Sequence, residues 1–375
     1  MALHVPPLIL GLVGVGAAGV AGVAVLASSG PLAPDSAPPE VGTAFQIRTL
    51  AGVPQPPRTD PNLKDGEARL AHFNGATDLA QAADGTIYVA DFDNYAIRKI
   101  GPDGTVSTLA GNGTPGVEDG DGNDARFLGP TFLTIGPDGN LYVSDSPAHR
   151  IRVVTPEGRV STLVGSGPTG LAVGESVDGP VSTARLDRPA GLVFLHDGSL
   201  LFAESSNRIR GISPEGEVFT WLGDGSHSSE DGPLGVATVW YPVALALAPD
   251  GTVYFTEHGT GSVRRVRDGQ VETLAGRTTG IEGSADQLPG LDFPSGLAVR
   301  PDGAILVADT SRHRLLVLES DGILRLLAGG VTPGHRDGSG WDSLFNLPTN
   351  VLVSPGGNIL VADSGNSVIR EIVWD

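Results

Sequence analysis

One motif returns six times along this chain of 375 residues, and that repetition limits the possible folds more than any other feature. The copies read "KDGEARLAHFNGA", "VEDGDGNDARFLGP", "VDGPVSTARLDRP", "EDGPLGVATVWYP", "EGSADQLPGLDFP" and "RDGSGWDSLFNLP". Each has an apolar anchor (Phe73, Phe127, Leu186, Val239, Leu291, Phe345) three residues ahead of a proline (Pro130, Pro189, Pro242, Pro294, Pro348), except that the first copy has Ala76 in the proline slot. The anchors lie 54, 59, 53, 52 and 54 residues apart. A period of this size marks a repeat architecture, in which one unit cannot bury its apolar face without neighbours. Length alone would suggest two or three domains; six copies of one unit predict a single closed body.

Within a copy, four short apolar runs alternate with turn dipeptides, as in "TFLTIG", "LYVSD", "RIRVV" and "RVSTLVG" of the second. Val, Ile, Leu, Tyr and Thr suit a pleated, half-buried surface, and Asp-Gly or Glu-Gly between such runs signals hairpins because Gly reaches positive φ without strain. No stretch of the body keeps a helical period. The expectation is an all-β fold, a six-bladed β-propeller of four-stranded antiparallel blades. The last copy stops at its third run, "VIREIVWD", while "IRTLAG" (Ile47 to Gly52) near the start matches "VSTLAG" (Val106 to Gly111) in the fourth-strand slot. The N-terminal strand should therefore complete the last blade and leave no open sheet edge.

The tracts "LYVSDSPAHRIRVVTPEGRVSTLVG" and "ILVADTSRHRLLVLESDGILRLLAG" resemble NHL repeats, as do Asn94-Tyr95-Ala96-Ile97 and Asn207-Arg208-Ile209 at the entry to the third strand. The resemblance covers residues 44 to 375 and implies the propeller fold. It does not fix an activity, because this fold carries scaffolds, RNA binders, lactonases and lyases alike.

Residues 1–29 are read as a signal peptide or an N-terminal membrane anchor, since Val5 to Gly30 carries no charge and is long enough for one span. Residues 30–43, with "PLAPDSAPPEVG", read as a Pro-rich linker, and residues 44–375 as the propeller. That order predicts a secreted, periplasmic or membrane-tethered protein outside the cytoplasmic membrane, acting as a monomer. The absence of Cys excludes disulfides, zinc-thiolate sites and a lipoprotein anchor. A formal charge of -19 argues against nucleic acid, which calls for a basic face.

In a repeat, features common to every copy are scaffold, and departures point to sites. The Asp-Gly column (Asp65, Asp119, Asp178, Asp231, Asp337, with Glu282 displaced) is read as turn chemistry, an Asp bonding its own backbone ahead of a positive-φ Gly. The second copy adds Glu118, Asp121, Asn123 and Asp124; oxygen ligands at Asp119, Asp121 and Asn123 would suit Ca²⁺, but the bidentate acid of a calcium loop is lacking and scaffold is preferred. A second column of acids (Asp91, Asp145, Glu204, Glu257, Asp309, Asp363) runs beside arginines (Arg98, Arg152, Arg210, Arg264, Arg370), broken by Leu316, and is assigned to pinning the loop into the third strand. His149 and His313 share the motif slot, on loops expected to be exposed, and no three histidines share a column, so no histidine metal site is expected. On the inner strand, one column reads Asp78, Phe132, Gly191, Ala244, Gly296 and Asn350. Closure makes the first and last blades neighbours, so Asp78 and Asn350, preceded by Thr77 and Thr349, form the candidate small-ligand site at the channel mouth.

The resulting reading is a non-catalytic, extracytoplasmic module that presents a broad loop face, with Trp221, Trp240, Tyr241 and Trp341 near it, to a protein or glycan, without a cofactor. The alternative is a channel-mouth hydrolase or lyase, similar in type to gluconolactonase, centred on Asp78 and Asn350. No complete catalytic set can be named for it.

Overall fold

The computed structural model describes residues 45–56, 58, 61–165, 174–282, 290–340 and 342–374. Within them the chain forms six sheets of five strands each. In blade one the inner strand is Ala76–Gln81, followed outward by Ile87–Asp91, Ala96–Ile100 and Thr105–Ala110. The fifth strand is a two-residue addition, Gly66–Glu67, on the outer edge. Sequence reading missed it because two residues carry no periodicity. It is the Asp-Gly segment itself, pairing with the fourth strand in every blade. Four of these pairings put Gly at a φ between 129° and 146° (Gly66, Gly179, Gly232, Gly338), backbone that a side chain would strain.

The last sheet closes the ring as the sequence predicts. Phe45–Ala51 runs antiparallel to Val368–Trp374, with Ile47 opposite Ile372 and Thr49 opposite Arg370. Ile47 and Ala51 point into the core while Gln46 and Arg48 face solvent, the alternation of a half-buried strand.

The core lies between blades rather than within one. Phe73, Leu79 and Val89 of blade one pack with Ala51, Leu360, Ala362 and Ile369 of the last blade, and Ala80 and Ile97 pack with Phe127 and Val143 across the next interface. All six anchors are wholly buried. In two of the three blades with a smaller anchor, the second-strand neighbour makes up the volume. Phe73, Phe127 and Phe345 sit with Val89, Val143 and Val361, whereas Leu186 and Val239 sit with Phe202 and Phe255.

Around the channel, inner strands approach closely. A Cβ at Gly191 would lie 2.5 Å from the Val243 carbonyl, and one at Gly296 would lie 2.4 Å from Cα of Asn350. Those two positions admit only Gly, which sets the spacing of the column that includes Asp78 and Asn350.

Candidate functional site

Polar side chains concentrate in three places, beginning with a cluster inside each blade. In blade one, Arg98 is fully buried and reaches Asp91 (2.8 Å) and Asp65 (2.7 Å). Its guanidinium also donates to the carbonyls of His72 and Lys64 and stacks over Phe73, 5.1 Å from the ring centroid. Asp65 in turn accepts from the amide and hydroxyl of Thr108. The same unit recurs with Arg152, Arg210, Arg264 and Arg370. The Asp of the Asp-Gly pair therefore does not bond its own backbone, as expected from turn chemistry. It ties the added edge strand to Arg on the third strand and Thr on the fourth, contacts invisible to a local pattern.

The second-strand acids are buried, and each accepts a backbone N–H from the segment that enters the inner strand: Asn74 to Asp91, Leu128 and Gly129 to Asp145, Asp187 to Glu204, Trp240 to Glu257, Asp292 to Asp309 and Asn346 to Asp363. They pin the inner-strand entry in every blade, and the third-strand loop as well where Asn94, Ser206, Thr260 and Asn366 reach back to them. Burial pushes Asp145, Asp309 and Asp363 up to about 6 against the opposing pull of their arginines. The break at Leu316 is repaired two residues earlier, where Arg314 donates to Asp309 at 2.7 Å.

The motif slot has a structural task too. Tyr95, His149, Asn207, His313 and Ser367 all adopt left-handed φ between 52° and 59°. From there His149 Nδ1, Asn207 Oδ1, His313 Nδ1 and Ser367 Oγ each accept the backbone N–H of Arg188, Tyr241, Leu347 and Gly75, respectively, on the next blade. His149 is buried rather than on an exposed loop, because this blade-to-blade bond draws it inward, and burial lowers the basicity of His313.

The second place is the channel, a cavity of about 370 Å³ lined by Asp78, Gln81, Phe132, Gly191, Ala244 and Asn350 among others. Asn350 Nδ2 donates to Asp78 Oδ1, bringing the pair together as closure requires. Oδ1 also accepts from Leu79 N (2.8 Å), and Oδ2 accepts from Leu133 N (2.7 Å) on blade two. Asp78 thus joins three consecutive blades, and burial raises its carboxyl to about 7 despite these bonds. Thr77 and Thr349 belong to the same stitching. Thr349 Oγ1 donates to the Thr77 carbonyl and Thr77 Oγ1 to that of Thr131, so neither hydroxyl is offered to the channel as a primary contact.

The acidic loop of blade two does not gather ligands. Asp119 spends both oxygens on Arg152 and Thr162, Asp121 lies open to solvent 3.8 Å from Arg159, and the Asn123 carbonyl accepts from Asn112. No group of three or more His, Asp or Glu suited to a metal ion occurs among the described residues.

The third place is the loop face where second strands lead into third strands. Trp240 and Tyr241 lie there, but Trp221 belongs to the outer strand Glu217–Leu222 and packs on the blade three–four core. Trp341 falls outside the described residues, as do residues 166–173 of the long Gly-rich connection and residues 1–44 with the signal or anchor. No helix among the described residues is long and apolar enough to cross a membrane.

The NHL repeat model matches residues 127–154 and 291–318. The chain is an NHL-repeat β-propeller. Teneurin-m of Drosophila melanogaster is 28% identical over 87% of this chain, and NHL repeat-containing protein 2 of Bos taurus is 31% identical over 35% of it. These matches span only 13% and 20% of those relatives. Among solved structures, an auxiliary nutrient binding protein from Bacteroides thetaiotaomicron superposes with a TM-score of 0.64 at 15% identity, covering 88% of this chain and 77% of that one. A putative gluconolactonase superposes at 0.53 with 13% identity, covering 90% and 94%. At such identities the likeness concerns the fold.

Proposed function

We propose that this NHL propeller is a non-catalytic binding module that works outside the cytoplasmic membrane and presents its loop face to a protein or glycan. The observation that carries this reading is the use made of the channel's polar pair. Every oxygen of Asp78 is taken by groups from blades six, one and two, so the carboxylate holds the ring instead of standing ready for a substrate. The similarity in fold to a nutrient binding protein supports a binding role, and the apolar segment at residues 5–30 supports export or tethering.

A second reading retains one favourable observation. A carboxyl raised to about 7 beside a cavity of 370 Å³ has the protonation behaviour of a general acid or base, and a putative gluconolactonase shares the fold. Two assays separate the readings. Lactone and ester panels should show no turnover that Asp78→Asn removes. Binding to arrayed envelope polysaccharides and proteins should be lost on Trp240→Glu at the loop face and kept on Asp138→Lys in a turn at the opposite end of its blade. Turnover abolished by Asp78→Asn would overturn the binding-module reading.

A further inference from the structure

We infer that Asn112–Gly113, in the connection from blade one to blade two on the loop face, is a site of self-modification. The Asn112 amide is lost through a cyclic imide with Gly113, and an aspartyl or isoaspartyl carboxylate replaces it. The chain has two Asn-Gly pairs, 74–75 and 112–113, and the fold leaves only the second open to this chemistry.

The Gly113 backbone nitrogen attacks Cγ of Asn112. An N–Cγ bond forms, the Cγ–Nδ2 bond breaks, and Nδ2 leaves as ammonia, taking up the proton that the Gly113 nitrogen releases. Water then opens the imide at either carbonyl, so water is consumed, ammonia is released and nothing is oxidised or reduced. The attacking and attacked atoms belong to adjacent residues, which makes the step intramolecular. Glycine suits the attacking position because it has no Cβ and the widest backbone freedom.

The surroundings of Asn112 favour each part of that step. Asn112 is exposed, so water and hydroxide reach it. The Gly113 N–H has no acceptor among the described residues, and its proton is free to leave. Gly113 sits at φ 81° in open space, where an added Cβ would meet only Pro61 Cβ, at 3.6 Å, among the described residues. Asn112 Oδ1 accepts from Thr114 N at 3.0 Å. That N–H is already aimed at the oxygen that becomes negative when nitrogen adds to Cγ.

Asn74–Gly75 is closed to the same reaction. Asn74 is 1% exposed, and the Gly75 N–H donates to Ser367 Oγ on the last blade, which withholds the nucleophile. The Asn74 amide is also clamped on both sides by the Arg58 backbone, accepting from its N–H at 2.6 Å and donating to its carbonyl at 3.1 Å.

Conversion changes the loop face. Asn112 Nδ2 donates to the Asn123 carbonyl at 2.8 Å and so ties the outlet of blade one to the acidic loop of blade two. A carboxylate has no hydrogen to donate there, and it adds charge to a loop that already carries Glu118, Asp119, Asp121 and Asp124.

Peptide mapping of the whole chain aged at pH 8, in native buffer and in denaturant, tests this. Trypsin places the two pairs on separate peptides, residues 70–98 and 100–126. In denaturant both asparagines should convert at similar rates, since each is then an exposed Asn-Gly. In the folded chain Asn112 should convert at least about tenfold faster than Asn74, the effect of one hydrogen bond withholding the Gly75 nitrogen. Its product should separate into Asp and isoAsp forms. Gly113→Ala should slow the conversion of Asn112 about tenfold in denaturant, where backbone strain plays no part. Conversion of Asn112 no faster than that of Asn74 in the folded chain would overturn the assignment. So would an unchanged rate in Gly113→Ala, or a product that is Asp alone.

Discussion

Blade five and blade one solve the same packing problem with different chemistry. In blade one, Arg98 stacks on Phe73, binds Asp65 and Asp91, and has Thr108 beside it on the fourth strand. At the corresponding points blade five has Leu316 for Arg98, Leu291 for Phe73 and Leu326 for Thr108, all buried in one apolar cluster. Its acid, Asp309, keeps a cation through Arg314, which enters from two residues earlier. Its added edge strand, Ile281–Glu282, pairs parallel with Leu324 and Arg325 where the other five pair antiparallel. The buried ion cluster is therefore one of two interchangeable cores. What both blades preserve is a cation for the second-strand acid and a backbone N–H for its other oxygen, so the acid's task is the invariant one.

Breaking that task should give the largest effect. Arg98→Leu alone leaves Asp91 buried without its cation and should cost about 3–5 kcal/mol in chemical denaturation. Adding Ala96→Arg and Thr108→Leu rebuilds the blade five arrangement, and the triple variant should recover most of the loss. If it is no more stable than the single variant, the two cores are not interchangeable. A smaller effect should come from Phe73→Leu, about 1–2 kcal/mol, with Val89→Phe restoring part of it as blades three and four do with Leu186/Phe202 and Val239/Phe255. Additive losses in that double-mutant cycle would show that the volume exchange is coincidental.

The smallest effect depends on pH. Asp93, in the turn after the second strand of blade one, is buried, and its Oδ2 finds no donor among the described residues. Burial first, and then the neighbouring Asp91 carboxylate, raise its carboxyl to about 7. A raised folded pKa means the native state binds the proton more tightly than the unfolded chain, so stability falls as pH rises from about 4 to about 7. Asp93→Asn removes that charge. Its melting temperature should exceed that of the parent at pH 8 and match it near pH 4; a constant difference across this range would exclude titration of Asp93 as the cause.

The ring was legible because repetition multiplies weak signals. Six anchors, five prolines and a displaced fourth strand sufficed for blade number and closure, and Ile47 to Gly52 pairs where "IRTLAG" implied. The pairing of Asp78 with Asn350 was legible too, since closure makes their blades adjacent. What their column did not reveal is Leu133 N, a backbone donor with no side-chain signature, and that bond changes the carboxylate from a candidate ligand into a joint. The Asp-Gly column was placed correctly as scaffold with the wrong partners, because its contacts to Arg98 and Thr108 lie 33 and 43 residues away. The left-handed backbone at Arg188 and Tyr241 was missed because positive φ at a non-Gly residue leaves no mark in a sequence.

The central claim is that the channel's polar pair belongs to the fold and that recognition belongs to the loop face. The most direct measurement is the backbone amide spectrum of the protein titrated with the ligand that binds it, in the parent and in Asn350→Leu. The account predicts shifts confined to loop-face amides such as those around Trp240 and Tyr241, with equal affinity in the variant and only its stability reduced. Shifts centred on Leu79 and Leu133, abolished by Asn350→Leu, would contradict it.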